Sequence, residues 1–346
     1  MNLSESGFYF IPQNDELVRI DDLDEALKKS RKDGFLWLNF CQPTKEELTT
    51  LIEPLNLHPL SIEDCFDDNQ IPKIEDYHNH TFILFNAFNY SNRVLFIDEV
   101  DIFIGSNFLV TVSRWEEDHP NALKGIERIL DLDIENARQG PAFLAHVLLD
   151  YIVDRKFIAI ETLEEELNAA EDTILDNYAG FNPGTLIHLR RELLSLRKSL
   201  FHEREILVKI CRKDCLYIPE KALFFYRDIY DHLARFFELT ESSRDIVTSL
   251  MEMYLSMLNN QMTRAANATN QTVRRLTFIT TIFMPLTLLA GIGGMSEYSM
   301  MTGPQNWRIA YPLFLAAMAI LGFLSYQFLK VLEKKNRKTD GIQPED

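Results

Sequence analysis

Twenty consecutive residues without a charge, LTFITTIFMPLTLLAGIGGM (Leu276–Met295), constrain this chain more than any other stretch. About twenty apolar residues is the length an α-helix needs to cross a bilayer core. A second run, Ile309–Leu332, follows a loop at 296–308, and its one charge, Lys330, sits near its end, where a long side chain can reach the headgroups. A buried hairpin in a soluble core is the alternative, but two runs of spanning length are rare in soluble chains. Arg264, Arg274 and Arg275 precede the first run, and Lys330, Lys334, Lys335, Arg337 and Lys338 close the second. The loop between them carries only Glu297 and Arg308. Basic residues stay cytoplasmic. A multi-pass protein of the inner (cytoplasmic) membrane is therefore expected, with both termini in the cytosol and the short loop outside.

The residues before the first run are ample to bury a core. The net charge of -17 speaks against a nucleic-acid-binding surface and fits an acidic cytosolic body. The opening MNLSESGFYF has no basic region followed by an apolar one, so no signal peptide is expected. Cys211 and Cys215 lie four apart on an expected helix, but no His or Cys cluster completes a tetrahedral metal set. With Cys41 and Cys65 they read as thiols of a reducing cytosol.

Residues 1–135 read as a cytosolic α/β domain. FLWLNF (35–40), TFILFNAFNY (81–90), RVLFIDEVDIFIG (93–105) and FLVTVSR (108–114) are expected strands. Asn92-Arg93 and Gly105-Ser106-Asn107 are expected turns between them. Helical periodicity covers Asp22–Lys32 and Thr44–Leu55, the latter opened by a capping box of Thr44 and Glu47. No Gly-rich phosphate loop, Ser-His-Asp arrangement or HExxH is present, so neither an enzyme nor a small organic substrate is expected.

Residues 136–218 read as an antiparallel helical hairpin: Ala142–Asp176, a turn at Phe181-Asn182-Pro183-Gly184, and a helix to about Arg212. Its acidic run, Glu161, Glu164, Glu165, Glu166, Glu171, Asp172 and Asp176, reads first as a solvated face and second as a loose divalent-cation surface. A stalk at 219–275 follows. No Pro or Gly interrupts it before Pro285, so a helix on the order of 100 Å is expected. Tyr226, Ile229, Leu233, Phe236, Thr240, Ser243, Val247, Leu250, Tyr254 and Met257 form a heptad stripe that must pack on copies of itself or on neighbouring helices. The stretch 259–272 then turns polar, as suits either a wet lumen or a frayed helix. Within the first span (276–295), Val273, Leu276 or Thr277, Thr280, Met284, Thr287 and Gly291 share a face. It reads equally as alternating pore rings or as Thr and Gly packing against other helices. Neither span holds a carboxylate or thiolate, which suits a hard cation that keeps its water, such as Mg²⁺.

IFMPLTLLAGIGGM, a Trp-bearing loop (296–308) and a second span (309–332) with IAYP resemble the CorA family of magnesium and cobalt channels. So do HPLSIEDCFDDNQIPKIEDY (58–77) and RDIYDHLARFFELTESSRDIVTSLMEMYLS (227–256). The resemblance covers most of the chain, leaving 333–346 as a basic cytosolic tail. It implies a funnel-shaped homopentamer in the lipid bilayer, lined by the first span and gated by cytosolic Mg²⁺. Mg²⁺ would be both regulator and cargo, with Co²⁺, Ni²⁺ or Zn²⁺ as other ions. Position by position, it places Asn270 at the cytosolic mouth and Val273, Leu276 and Met284 in an apolar constriction. Thr287 matches a polar ring above them, and Gly294-Met295-Ser296 matches the selectivity motif. Asp228 falls at an intersubunit regulatory site, and Glu252 where the family has an acidic ring.

Three departures stand out. Ser296 replaces the family's Asn, which opens Zn²⁺ transport as the alternative cargo. Gly293 replaces an aromatic, which would loosen the pore mouth. Seven extra residues lie between Tyr254 and Leu276, a number that keeps a heptad in phase. Glu297 could collect cations at the outer mouth. A non-conducting membrane-anchored sensor is the reading from another class.

Overall fold

The computed structural model describes residues 6–12, 17–29, 34–67, 70–114, 134–294, 303 and 305–339. They fall into two compact units, Met1–Leu255 and Ser256–Asp346.

The first unit holds a seven-stranded sheet: β1 (Gly7–Pro12), β2 (Val18–Ile20), β3 (Gly34–Cys41), β4 (Lys73–Asp76), β5 (Thr81–Ser91), β6 (Val94–Ile104) and β7 (Phe108–Arg114). Their order is β2-β1-β3-β7-β6-β5-β4, with β3 and β7 parallel and every other pair antiparallel. The four strands expected from sequence are β3, β5, β6 and β7, the centre of the sheet. Strands covered on both faces read as continuous apolar runs, and Phe35 to Leu38 are all buried. Strands β1, β2 and β4, of which β2 and β4 form the edges of the sheet, were not expected. They are short, and the half-exposed KIED of β4 carries little apolar signal. Asn92 and Arg93 both adopt positive φ, 52° and 64°, the tight two-residue hairpin that matches sheet twist.

Alternate sheet residues, among them Leu36, Leu38, Phe82, Phe103 and Val110, share a core with the short helices α1 (Leu23–Lys29), α2 (Lys45–Thr49), α3 (Ile52–Leu55) and α4 (Pro59–Asp64). The capping box forms as expected: Glu47 N donates to Thr44 Oγ1 (3.3 Å) and Thr44 N donates to Glu47 Oε2 (2.9 Å). The helix expected over Thr44–Leu55 is nevertheless two helices, α2 and α3. Pro54 has no N–H to donate to the carbonyl of Thr50, so it fits only within the first turn of a new helix.

Beyond a short α5 (Ile134–Ala137), α6 (Pro141–Asn177) and α7 (Gly184–Cys211) form the expected hairpin, with α6 lying along β5. Cys215 lies beyond the end of α7, not on it. Lys213, at φ 66°, turns the chain out of the helix. Glu161, Glu165, Asp172 and Asp176 are exposed. Glu164 accepts from Ser243 Oγ (3.3 Å), and Glu166 lies 3.9 Å from Arg93. The solvated-face reading of the acidic run thus accords with its exposure.

His80 is buried between Tyr77 (ring centroids 4.9 Å) and Phe103 (5.7 Å), with Nε2 3.2 Å from Ser61 Oγ. Burial, with a smaller push from His58, lowers its pKa to about 4. The unfolded chain regains a value near 6.5 and binds more protons between the two. Stability is therefore full above about pH 6.5 and falls as pH drops toward 4, by on the order of 1–3 kcal/mol. Unfolding midpoints at pH 7 and 4.5 should differ less in His80→Asn than in the parent.

Candidate pore-lining face

A three-residue 3-10 turn (Glu220–Ala222) leads into α8 (Leu223–Gly293, 71 residues). The helix expected from Pro219 thus begins four residues later, because Pro219 sits in extended backbone ahead of the turn. The buried residues of α8 are Tyr226, Ile229, Leu233, Phe236, Thr240, Ser243, Val247 and Leu250, eight of the ten positions of the expected heptad stripe; the other two, Tyr254 and Met257, are half-buried. They pack within the chain: Tyr226 Oη donates to Ala142 O (2.7 Å), and the rings of Phe236 and Phe157 stack at 5.7 Å. Arg197 of α7 pairs with Glu241. Within the chain the stripe meets the hairpin α6–α7, one of the two partners it allowed.

The second unit contains the end of α8 and α9 (Trp307–Thr339). Both carry stretches long and apolar enough to cross a membrane. Residues 259–277 of α8 are all exposed. From there Phe278, Ile282, Pro285, Leu286, Leu289 and Gly293 are half-buried, stepping by three and four. On α9 the half-buried positions are Ala310, Phe314, Met318, Gly322, Ser325 and Leu329. These two faces meet, with Phe314 against Gly293 and Leu286 against Gly322.

The other side of α8 is bare. Asn270, Val273, Leu276, Thr277, Thr280, Met284, Thr287 and Gly291 are all exposed, Met284 by 72%. Asn270, Thr277, Met284 and Gly291 recur by sevens, and Val273, Thr280 and Thr287 form the neighbouring column. Thr280, Met284, Thr287 and Gly291 line one shallow groove. Each threonine hydroxyl on this face is spent on its own helix: Thr277 donates to Val273 O (2.9 Å), Thr280 to Leu276 O (3.0 Å) and Thr287 to Phe283 O (2.8 Å). What each presents outward is oxygen lone pairs. The water around a cation points its hydrogens outward and needs acceptors, whereas the water around an anion does not. The face carries no Asp, Glu, His or Cys.

Gly294 ends the described part of α8, its N–H donating to Ala290 O (3.0 Å). Met295, Ser296 and Glu297 lie outside the described residues. Asp228 is exposed, with Oδ2 3.8 Å from His232 Nε2, and Glu252 is exposed as well. Among the described residues no group of three His, Cys, Asp or Glu side chains is placed to hold a metal. Burial raises both the Cys211 and the Cys215 thiol pKa, Cys215 to about 12, so both stay protonated at neutral pH.

A mixed sheet and helical hairpin followed by two helices apolar enough to cross a membrane, one with exposed hydroxyl oxygens along a face, fit a membrane transport protein. Residues 32–331 match the family model of the CorA-like Mg²⁺ transporter protein, and the chain belongs to that family. YfjQ of Bacillus subtilis is 32% identical over 83% of this chain and 86% of its own length. The cobalt/magnesium transport protein CorA of Thermotoga maritima is 29% identical over 85% of this chain and 82% of its own. The solved CorA magnesium transporter of Methanocaldococcus jannaschii shares the fold, with a TM-score of 0.66 and 23% identity over 93% of this chain and 96% of that one.

Proposed function

We propose that this chain is the subunit of a homopentameric channel that passes Mg²⁺ and Co²⁺ across the cytoplasmic membrane and is gated by cytosolic Mg²⁺. The observation that carries the reading is the bare face of α8. A helix in lipid that exposes alternating apolar and hydroxyl positions, opposite the face its own partner helix covers, needs further helices around it. Copies of the same chain arranged about an axis supply them. Apolar rings at Val273, Leu276 and Met284 then gate by dewetting, and the oxygens of Asn270, Thr277, Thr280 and Thr287 meet the hydration shell of the ion. No ligand on the face strips that shell, as suits Mg²⁺, which dehydrates reluctantly. The basic residues flanking the spans put both termini in the cytosol. Gly294, Met295 and Ser296 form the entry ring in this reading, with Glu297 gathering cations outside it. A serine ring is wider than an asparagine ring, and this favours Zn²⁺ as the alternative cargo.

Flux into liposomes of purified protein, with a Mg²⁺ dye and Zn²⁺ or Co²⁺ as competitor, tests the reading. Mg²⁺ entry competed by Co²⁺ is expected. Preference for Zn²⁺ would support the alternative, and no divalent flux beside a conducting control would sink the channel and leave the membrane-anchored sensor.

Asp228, exposed on α8, supplies one ligand of the regulatory Mg²⁺, and the rest come from a neighbouring copy. Asp228→Ala should shift half-inhibition to about tenfold higher internal Mg²⁺. An unmoved inhibition curve would remove Asp228 from the regulatory site.

A further inference from the structure

Gly291, Gly293 and Gly294 make the end of α8 a weak helix, since each glycine costs about 1 kcal/mol relative to alanine. The helix nevertheless runs to Gly293, and the amide of Gly294 still closes on Ala290. Gly293 is half-buried while Gly291, Ile292 and Gly294 are exposed. Its cover is the ring of Phe314 on α9. A Cβ at Gly293 would stand 2.7 Å from Phe314 Cζ, 3.0 Å from Cε2 and 3.2 Å from Cε1. No real Cβ tolerates the first of these distances, so the ring tip occupies the notch that the missing side chain leaves. The other glycine between these helices is different. A Cβ at Gly322 would meet Leu286 Cδ1 at 3.5 Å, an ordinary contact.

We propose that Phe314 is a positioning residue: seated in the Gly293 notch, it holds the Gly291–Gly294 end of α8 in helical form and fixes where the rings at Thr287 and Gly291 stand. An aromatic ring is rigid and an isolated glycine-rich helix end is not. The restraint therefore comes from α9 rather than from α8 itself, and the second span acts on the conducting face without touching it. The functional half of this proposal rests on the channel reading; the packing half does not.

Two measurements on the full-length purified chain separate the halves. In liposomes, Gly293→Ala should lower Mg²⁺ flux at least about tenfold or change the Mg²⁺/Co²⁺ ratio by as much, because sub-ångström misplacement of an interacting ring is costly. Adding Phe314→Val clears space for the new methyl and should bring flux back to within about threefold of the parent, which general misfolding would not do. Gly322→Ala makes the same chemical change between the same helices with ordinary clearance and should leave flux unchanged. Parent-like flux and ion ratio in Gly293→Ala overturn the proposal while the channel reading stands. In detergent, the melting-temperature shifts of Gly293→Ala and Phe314→Val should be non-additive, as for groups in contact. Additive shifts overturn the proposal whether or not the parent conducts.

Discussion

Leucine in place of Asn270 should cut Mg²⁺ flux on the order of a hundredfold, equivalent to about 2.7 kcal/mol at the barrier. Asn270 is the exposed amide next to Val273 and Leu276 on the bare face of α8. In a ring of subunits it is the last neutral oxygen before the apolar constriction. Leucine keeps the same branched four-atom side-chain skeleton and is the better helix former, so the helix is preserved and the main change is from amide to hydrocarbon. The ion would meet three successive apolar rings at 270, 273 and 276, and a hydrated cation has no partner for its water over that length. Asn270→Gln keeps an amide and should retain most of the flux. Equal flux in Asn270→Leu and the parent would mean that this residue does not face the ion.

The second large effect is on stability. Lys156→Met should cost about 3–5 kcal/mol, because it leaves a carboxylate buried without its counter-charge. Lys156 and Glu203 are both fully buried, with Nζ and Oε1 2.5 Å apart. Glu203 Oε1 also accepts from Ser199 Oγ (3.2 Å) and from the backbone N–H of Asn86 (3.1 Å), and Asn86 Nδ2 donates to Ser199 Oγ (2.7 Å). The ammonium lies 4.4 Å from the centre of the Phe85 ring and 4.2 Å from that of Phe88. Helices α6 and α7 are thus joined to β5 through one buried charge pair. Burial pulls the lysine pKa down to about 8, and Glu203 opposes that pull, so the lysine stays mostly protonated at neutral pH. The double variant Lys156→Met/Glu203→Leu removes both charges and should recover most of the loss, since well-packed apolar groups replace such pairs at little cost. Denaturant midpoints of the parent, single and double variants measure this. A single variant as stable as the parent would show the pair to be incidental.

The heptad stripe of α8 was legible because eight residues, Tyr226 to Leu250, keep one period and all face the hairpin. The two spans were legible from length alone. The bare face was half legible: the spacing of Thr280, Met284 and Thr287 set out its two columns, but only the half-buried positions on the other side show that α9 leaves it open. The edge strands β2 and β4 stayed hidden because a strand with one neighbour and one wet face has no continuous apolar run, and the inner strand β1 because its apolar run, Phe8 to Ile11, is only four residues long. The Lys156–Glu203 pair left a faint signal, a lysine at a position flanked by Ile152, Val153, Ala159 and Ile160 on the apolar side of α6. Its partner lies 47 residues away, and no local pattern joins them. Gly293 read as a loosening of the pore mouth. In the structure it is a notch filled by Phe314, a contact between residues of different helices that spacing cannot reveal.

The central claim is that the side of α8 carrying Thr280, Met284 and Thr287 faces water in the assembled protein. Single cysteines across positions 277–291, placed in a background free of the four native cysteines, can be challenged with a water-soluble thiol reagent in flux-competent liposomes. The account predicts fast labelling and loss of flux at 280, 284 and 287, with protection at 282, 286 and 289. Labelling at 282, 286 and 289 with 280, 284 and 287 protected would place the water on the opposite side and contradict it.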